Sequence, residues 1–265
     1  MAGKNNNLVQ FFTRRKEMEK VTLIPTDEKS EYYQEHIAGR HGKDSITIGS
    51  KLLGNVPDKY ILNLLNYTDK QYQAVIDEKG LPGRMVFAVE ADRPVGTNAV
   101  FPIENIDENL VFSTIRETGT ERAAQIKAVL VSEKDMPTTN VAQVIMGHYG
   151  PTGKAGIYTM IFGDEGMPFP ENIAKRSPDD KEFIAKCRDY WDSHVMLVTP
   201  KELEANIAEL KAQGLPTKSQ ELALKSFEHR DEKSPIIKPF VAVISPNAVK
   251  LQLPKINRVT PKTYE

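Results

Sequence analysis

The chain of 265 residues contains a single cysteine, Cys187. An intrachain disulfide is therefore impossible, and a zinc site built from several thiolates is excluded as well. His36 and His41 do not have the i, i+4 spacing that places two metal ligands on one helical face, and the HExxH motif is absent. No dinucleotide-binding signature occurs either. We therefore expect folding and any activity to need no metal and no cofactor.

Long apolar runs are also lacking. No stretch approaches the ~20 apolar residues that a membrane-spanning helix needs. The first residues, MAGKNNNLVQFFTRRKEMEK, have no apolar core ahead of their charges and do not match a cleavable secretory signal. We expect no membrane partner and a cytoplasmic location, or secretion without a cleavable signal peptide.

The chain has no marked excess of positive or negative charge. The 35 Lys and Arg residues balance 36 Asp and Glu residues, and the formal net charge is −1. Proteins that bind nucleic acid through their global field are usually strongly basic, so any nucleic-acid contact here requires a local basic patch. Hydrophobic residues make up 40% of the chain and charged residues 27%, which is typical of a globular protein.

Short β-rich runs, separated by Gly, Pro, Asn and Asp, fill the middle of the chain. They cover residues 85–89, 99–103, 110–115, 126–131, 141–146 and 156–162. No helical period separates these runs, so the pattern predicts an antiparallel sheet from about residue 84 to 162 rather than βαβ units. Residues 123–131 also fit a helix.

Helical signals lie on both sides of these runs. Predicted helices cover residues 27–39, 58–65, 68–80, 177–191, 199–214 and 217–229, and predicted strands cover residues 195–198, 236–244 and 249–253. Thr68 is predicted to start a helix, and Thr199 with Glu202 forms a capping box. We predict one α+β domain over residues 1–265, with the antiparallel sheet flanked by N- and C-terminal helices.

The most unusual segment is the glycine-rich sequence GHYGPTGKAG at residues 147–156, between two predicted strands. It is not a phosphate-binding P-loop, because His148 stands where GxxxxGK[ST] requires its first glycine, and Ala155 replaces the metal-binding hydroxyl. A P-loop also opens a helix, whereas a strand pattern follows here. The segment therefore predicts a long hairpin loop.

This hairpin holds groups suited to metal-independent cleavage of RNA. His148 can move a proton near neutral pH, Lys154 can neutralise a phosphate oxyanion, and Tyr158 can orient the phosphate from the sheet surface. Side chains alternate across a strand, so Tyr158 and Thr159 share a face only where a bulge intervenes. The candidate catalytic residues are His148, Lys154 and Tyr158, and the candidate binding residues are Tyr149, Thr152 and Thr159.

Two functional classes fit these observations. The first is a metal-independent hydrolase or ribonuclease-like toxin or effector, and in the groups it presents the hairpin resembles compact toxin ribonucleases that act from an antiparallel sheet. The second is a non-catalytic binding protein whose hairpin is a recognition loop, with its glycines at positive-φ positions and its polar side chains solvated. The expected partner is RNA or a protein. Neutral net charge favours the second class, and the co-occurrence of His, Lys, Tyr and Thr favours the first.

Overall fold

The computed structural model describes residues 22–79, 84–120, 122–149, 153–163, 166–230 and 247–252. Within these ranges the strands belong to three sheets. The strands are β1 (Thr22–Leu23), β2 (Met85–Glu90), β3 (Gly96–Thr97), β4 (Val100–Pro102), β5 (Phe112–Arg116), β6 (Ala124–Leu130), β7 (Thr138–Thr139), β8 (Val141–His148), β9 (Lys154–Phe162), β10 (His194–Val198) and β11 (Val249–Gln252).

The largest sheet has five strands in the order β1-β9-β8-β2-β11. Strand β8 runs antiparallel to both of its neighbours, β2 and β9. The two edge strands, β1 and β11, pair in parallel with β9 and β2. Residues of β8 are buried on both faces of the sheet, which agrees with its nearly continuous apolar sequence.

A second sheet has four strands in the order β4-β10-β6-β5. Strand β10 is antiparallel to β4 and parallel to β6, while β5 and β6 form an antiparallel pair. Strands β3 and β7 form a small antiparallel pair of their own. Both larger sheets are therefore mixed.

The α+β class is confirmed, but the prediction of one antiparallel sheet over residues 84–162 is wrong. Described pairs between two strands of that span are all antiparallel. Each parallel pair contains β1, β10 or β11, which lie outside the span. A local pattern of turns and apolar runs predicts how consecutive strands pair, whereas distant strands join a sheet through tertiary packing. Residues 123–131, which also fitted a helix, form β6.

The α-helices are α1 (Gly39–His41), α2 (Lys59–Lys79), α3 (Pro170–Arg176), α4 (Lys181–Asp192), α5 (Pro200–Ala212) and α6 (Lys218–Glu228), and a π-helical segment, Tyr32–Ala38, leads into α1. The two helices predicted at 58–65 and 68–80 are one helix. Thr68 lies buried within α2, and its hydroxyl donates to the carbonyl of Leu65 at 2.9 Å. A threonine hydroxyl that bonds back along the helix does not act as an N-cap.

Of the predicted starts of helices α4 and α5, one is confirmed and one is not. The Thr199 capping box at the start of α5 is confirmed, with Glu202 as its second member. Helix α4 is capped by Asp180, which accepts from the backbone N–H of Phe183, and so begins after the predicted Ser177 cap. The predicted closure at Gly80 and the strand at 236–244 lie outside the described residues. None of the described helices is both long and apolar enough to cross a membrane.

Two large buried clusters hold the sheets and helices together. In the first, apolar residues of α2 such as Leu64 and Tyr72 pack with Phe87 of β2 and Met146 of β8. In the second, residues of α5 and α6 pack on the four-stranded sheet. Flanking of the sheet by N- and C-terminal helices across the whole chain stays a prediction.

Candidate functional site

The β8–β9 hairpin is the setting of the predicted site. Its ladder continues to the tip, where His148 lies opposite Ala155 and the backbone N–H of Tyr149 donates to the carbonyl of Lys154 at 2.7 Å. On the other side of β9, Thr22 of β1 pairs with Lys154. Strand β9 is thus hydrogen-bonded on both sides near the tip, and the side chains there stand on an ordered backbone.

A β-bulge lies at Tyr158. The register between the two strands shifts here, so Tyr158 has no residue directly opposite it on β8. Tyr158 and Thr159 are both half-buried, whereas Ile157 and Met160 on either side belong to the core. The bulge that Tyr158 and Thr159 would need to share a face is therefore present at this position.

Two glycines make room for two tyrosine rings at the hairpin. A side chain on Gly147 would place its Cβ 2.6 Å from the ring of Tyr158, and one on Gly156 would place its Cβ 3.0 Å from the Tyr149 hydroxyl. Gly147 and Gly156 lie opposite each other in the ladder. The rings meet edge to face, with centroids 5.6 Å apart. The glycines of this segment therefore allow close packing of aromatic rings over the backbone.

Both tyrosine hydroxyls donate to backbone carbonyls. The Tyr149 hydroxyl donates to Ile157 at 2.6 Å, and the Tyr158 hydroxyl donates to His148. Burial raises the pKa of Tyr149, and the neighbouring Tyr158 adds to the effect. These bonds hold the rings in one orientation, so the last described residues of the hairpin present an aromatic surface.

Tyr32, from the π-helical segment, extends this surface. Its hydroxyl donates to the backbone carbonyl of Tyr158, and its ring stacks on His36 with centroids 4.8 Å apart. Burial, with a contribution from the nearby Tyr149, raises the pKa of Tyr32 to about 12. The residue nevertheless keeps 38% of its surface exposed. The hairpin is therefore continuous with the π-helical segment through one partly exposed aromatic ring.

The structure separates some of the predicted site residues. His148 is half-buried at the end of β8 and Lys154 is exposed at the start of β9. His148 faces the same side of the sheet as its ladder partner Ala155, so Lys154 extends from the opposite face. Thr159 makes only a long contact through its hydroxyl, 3.4 Å from the next carbonyl oxygen, and Thr152 lies outside the described residues. The roles assigned to these residues stay predictions.

A cluster of three arginines, missed by the sequence analysis, lies beside Tyr32. Glu117 accepts a hydrogen bond from Nη1 of Arg40 at 2.9 Å, and Nη1 of Arg116 lies 3.1 Å from the same oxygen. Nη1 of Arg122 lies 2.6 Å from Nδ1 of His36. These residues come from two segments that are far apart in the chain, so no local sequence motif indicates the cluster. We call Arg40, Arg116, Arg122, Glu117 and His36 the arginine cluster.

Two histidines in this region are held neutral. Burial, together with the charges of Arg40 and Arg122, lowers the pKa of His36 to about 3. Burial lowers the pKa of His41 to about 4, although its hydrogen bond to the Ser50 carbonyl acts in the opposite direction. Because a guanidinium can only donate, neutral His36 accepts from Arg122 at Nδ1 and bears its proton on Nε2.

Other features do not add to the hairpin site. A cleft of about 530 Å³ lies between the π-helical segment and the start of α2, and hairpin residues are not part of its lining. Cys187 is fully buried, and burial raises the pKa of its thiol. A buried thiol of this kind is a packing residue, as the sequence predicts, and not an activated nucleophile.

Among the described residues, no group of three or more His, Cys, Asp or Glu side chains is placed to hold a metal ion. Comparison of the chain with protein-family models, with curated proteins and with solved structures found no match. A function for this protein therefore has to be inferred from the chemistry of the hairpin and of the residues around it.

Proposed function

We propose that this protein is a metal-independent RNA-cleaving hydrolase of the toxin or effector type, with its active site at the tip of the β8–β9 hairpin. The observation that supports it best is the bulge at Tyr158, which brings its phenol to the backbone carbonyl of His148 at the edge of an aromatic surface. A cytoplasmic location, with secretion as the alternative, is part of this proposal.

The proposed reaction is transfer within the RNA chain. His148 accepts the proton of a 2′-hydroxyl, whose oxygen forms a bond to the adjacent phosphorus. The bond from phosphorus to the 5′ oxygen breaks, and that oxygen takes a proton from solvent. The products are a 2′,3′-cyclic phosphate and a free 5′-hydroxyl. Lys154, which extends from the opposite face of the sheet, is assigned to the charge of the RNA backbone, and Tyr158 to the orientation of the phosphate.

The aromatic rings suit a single-stranded substrate. Unpaired RNA bases are recognised by stacking on aromatic side chains, and such stacking tolerates many sequences. Tyr32, Tyr149 and Tyr158 are held in place by hydroxyl bonds to backbone carbonyls, so little side-chain entropy is lost when a base docks. The three rings therefore favour RNA over a small-molecule ester as the substrate.

The decisive experiment is cleavage of a fluorogenic single-stranded RNA in the presence of EDTA. His148→Ala should lower the rate by about 100-fold or more, because a general base contributes about 10²–10⁴-fold. The melting temperature should change little, since a half-buried residue at a strand end adds little stability. His229→Ala, which alters an exposed histidine just after α6, is the matched control. Equal rates for His148→Ala and the wild type would contradict the proposal.

The second candidate is a non-catalytic recognition loop. It is favoured by two observations: the hydroxyls of Tyr149 and Tyr158 are already occupied by backbone carbonyls, and His148 and Lys154 extend from opposite faces of the sheet. This candidate predicts RNA or protein binding without cleavage. A wild-type protein that leaves single-stranded RNA intact while binding it would support this candidate and refute the first.

A further inference from the structure

The arginine cluster is built from two parts of the chain. Tyr32, His36 and Arg40 follow one another at intervals of four residues along the π-helical segment and α1, so they line one side of it. Arg116 ends β5, and Arg122 lies in the turn before β6. π-Helical turns are rare and occur frequently at functional sites, which makes this segment a natural place to look for a ligand.

Positive charge exceeds negative charge in the cluster. The cluster holds three guanidinium groups and one carboxylate, that of Glu117, which contacts Arg40 and Arg116, while Arg122 contacts His36. Glu202 also acts on the pKa of Arg116, but it pairs with Lys51, so that pair adds no net charge. The described charged groups therefore leave an excess of two positive charges. His36 does not add to them, because it is neutral.

These guanidinium groups are partly withdrawn from water. The Arg40 and Arg116 side chains keep 22% and 18% of their surface exposed. Burial lowers the pKa of Arg116, which indicates that its charge is poorly solvated. Clustered cations with restricted access to water are stabilised by an anion, and guanidinium groups bind phosphate through paired hydrogen bonds.

The backbone of Glu117 is strained. Its φ of 55° makes it the one non-glycine residue in the described part of the chain with positive φ. Oε2 of Glu117 is buried and has no hydrogen-bond partner among the described residues. Strained conformations of this kind occur disproportionately at ligand sites, where the surrounding structure enforces them.

Tyr32 supplies an aromatic face next to the cluster. One side of its ring rests on His36, which is itself hydrogen-bonded to Arg122, and its hydroxyl is bonded to the hairpin backbone. The ring is thus fixed, and 38% of the residue is exposed. A fixed aromatic face beside clustered guanidinium groups is a combination that recognises a base together with its phosphate.

From this arrangement, we propose that the arginine cluster and Tyr32 bind a nucleotide, with the phosphate on the guanidinium groups and the base stacked on Tyr32. The nucleotide is either free in solution or part of an RNA strand, since the recognising chemistry is the same. This binding does not depend on cleavage at the hairpin and holds if His148 has no catalytic role.

The test is isothermal titration of the wild type and variants with inorganic phosphate, AMP and a hexameric oligodeoxynucleotide, which lacks the 2′-hydroxyl needed for cleavage. Arg122→Gln should weaken AMP and phosphate binding about tenfold or more, because hydrogen bonds between charged groups are lost. Tyr32→Ala should weaken AMP about tenfold and leave phosphate unchanged, because only stacking is removed. Arg188→Gln, at an exposed arginine of α4, should bind like the wild type.

An NMR titration of His36 gives an independent readout. A bound phosphate screens the neighbouring cations, so the pKa of His36 should rise in the presence of AMP in the wild type and not in Arg122→Gln. If Arg122→Gln does not fold, Arg122→Lys, which keeps the positive charge, replaces it in the experiment. Arg122→Lys should retain part of the phosphate binding. A hexamer that binds while AMP does not would identify nucleic acid as the source of the nucleotide. No binding of AMP, phosphate or hexamer to the wild type, or equal binding by Arg122→Gln, would overturn the proposal.

Discussion

The buried histidine His41 should make this protein less stable in mild acid. It is 4% exposed, and its Nδ1 lies 2.9 Å from the carbonyl oxygen of Ser50. Since a carbonyl can only accept, Nδ1 bears the proton of the neutral ring. Protonation at Nε2 would bury a further positive charge near Arg116, Arg40 and Lys51, all of which lower the pKa of His41.

The size and sign of the effect follow from the pKa of His41. It falls from 6.5 to about 4 on folding, mainly because the ring is buried. Between these values the unfolded chain holds a proton that the folded chain does not, so the free energy of unfolding decreases as the pH falls. The full stability is present above pH 6.5 and is lost progressively down to about pH 4. At ~1.4 kcal/mol for each unit of pKa, the loss is about 3 kcal/mol.

The assay is urea unfolding of the wild type and His41→Asn at several pH values between 4 and 7.5. Asparagine can donate to the Ser50 carbonyl in place of Nδ1 but cannot take up a proton. The wild type should lose about 3 kcal/mol more than the variant over this range. Burial raises the pKa of Asp69, which acts in the opposite direction, but Asp69 is common to both proteins and cancels in the difference. Parallel pH dependences for the two proteins would refute the reasoning.

Three further substitutions test local features of the fold by chemical denaturation. Gly147→Ala should destabilise the protein by about 1–3 kcal/mol, because the added Cβ would collide with the ring of Tyr158. An unchanged denaturation midpoint would mean that the ring moves freely. Thr199→Ala should cost about 1 kcal/mol by removing the capping box with Glu202, and a neutral result would show that the cap adds nothing to α5. Tyr72→Phe should be neutral or stabilising by up to about 1 kcal/mol, because the Tyr72 hydroxyl is buried and has no partner among the described residues; a clear loss would reveal one.

Local sequence patterns predicted elements well wherever the cause was local. The Thr199 cap, the β6 strand and the glycine-rich hairpin all depend on neighbouring residues, and each lies close to its predicted position. The division of α2 at Thr68 was wrong because a threonine near the start of an apolar run looks like a cap. Whether its hydroxyl caps a new helix or bonds back along an existing one depends on whether the preceding turn is helical, and packing decides that.

The candidate site likewise has parts that the sequence predicts and parts that only the structure shows. The hairpin was visible in the sequence because glycines, a histidine and tyrosines lie close together along the chain. The sequence showed only that Tyr158 and Thr159 need a bulge to share a face. Whether a bulge forms there depends on how β9 pairs with β8. The arginine cluster had no signal of its own, because Arg40 and Arg116 belong to different elements and meet only at Glu117.

The sequence by itself determined the α+β class, the extent of most strands between residues 84 and 162, and the position of the glycine-rich hairpin. These features follow from side-chain periodicity and turn chemistry, which act over a few residues. The tertiary structure alone decided that β1, β10 and β11 each pair in parallel with one strand of the 84–162 span and that both large sheets are mixed. It also decided that Arg40 and Arg116 share the carboxylate of Glu117 and that Arg122 bonds to His36 beside Tyr32. Pairing between distant strands and clustering of charged side chains both join residues that are far apart along the chain. No local sequence pattern indicates which of these residues meet in the folded protein.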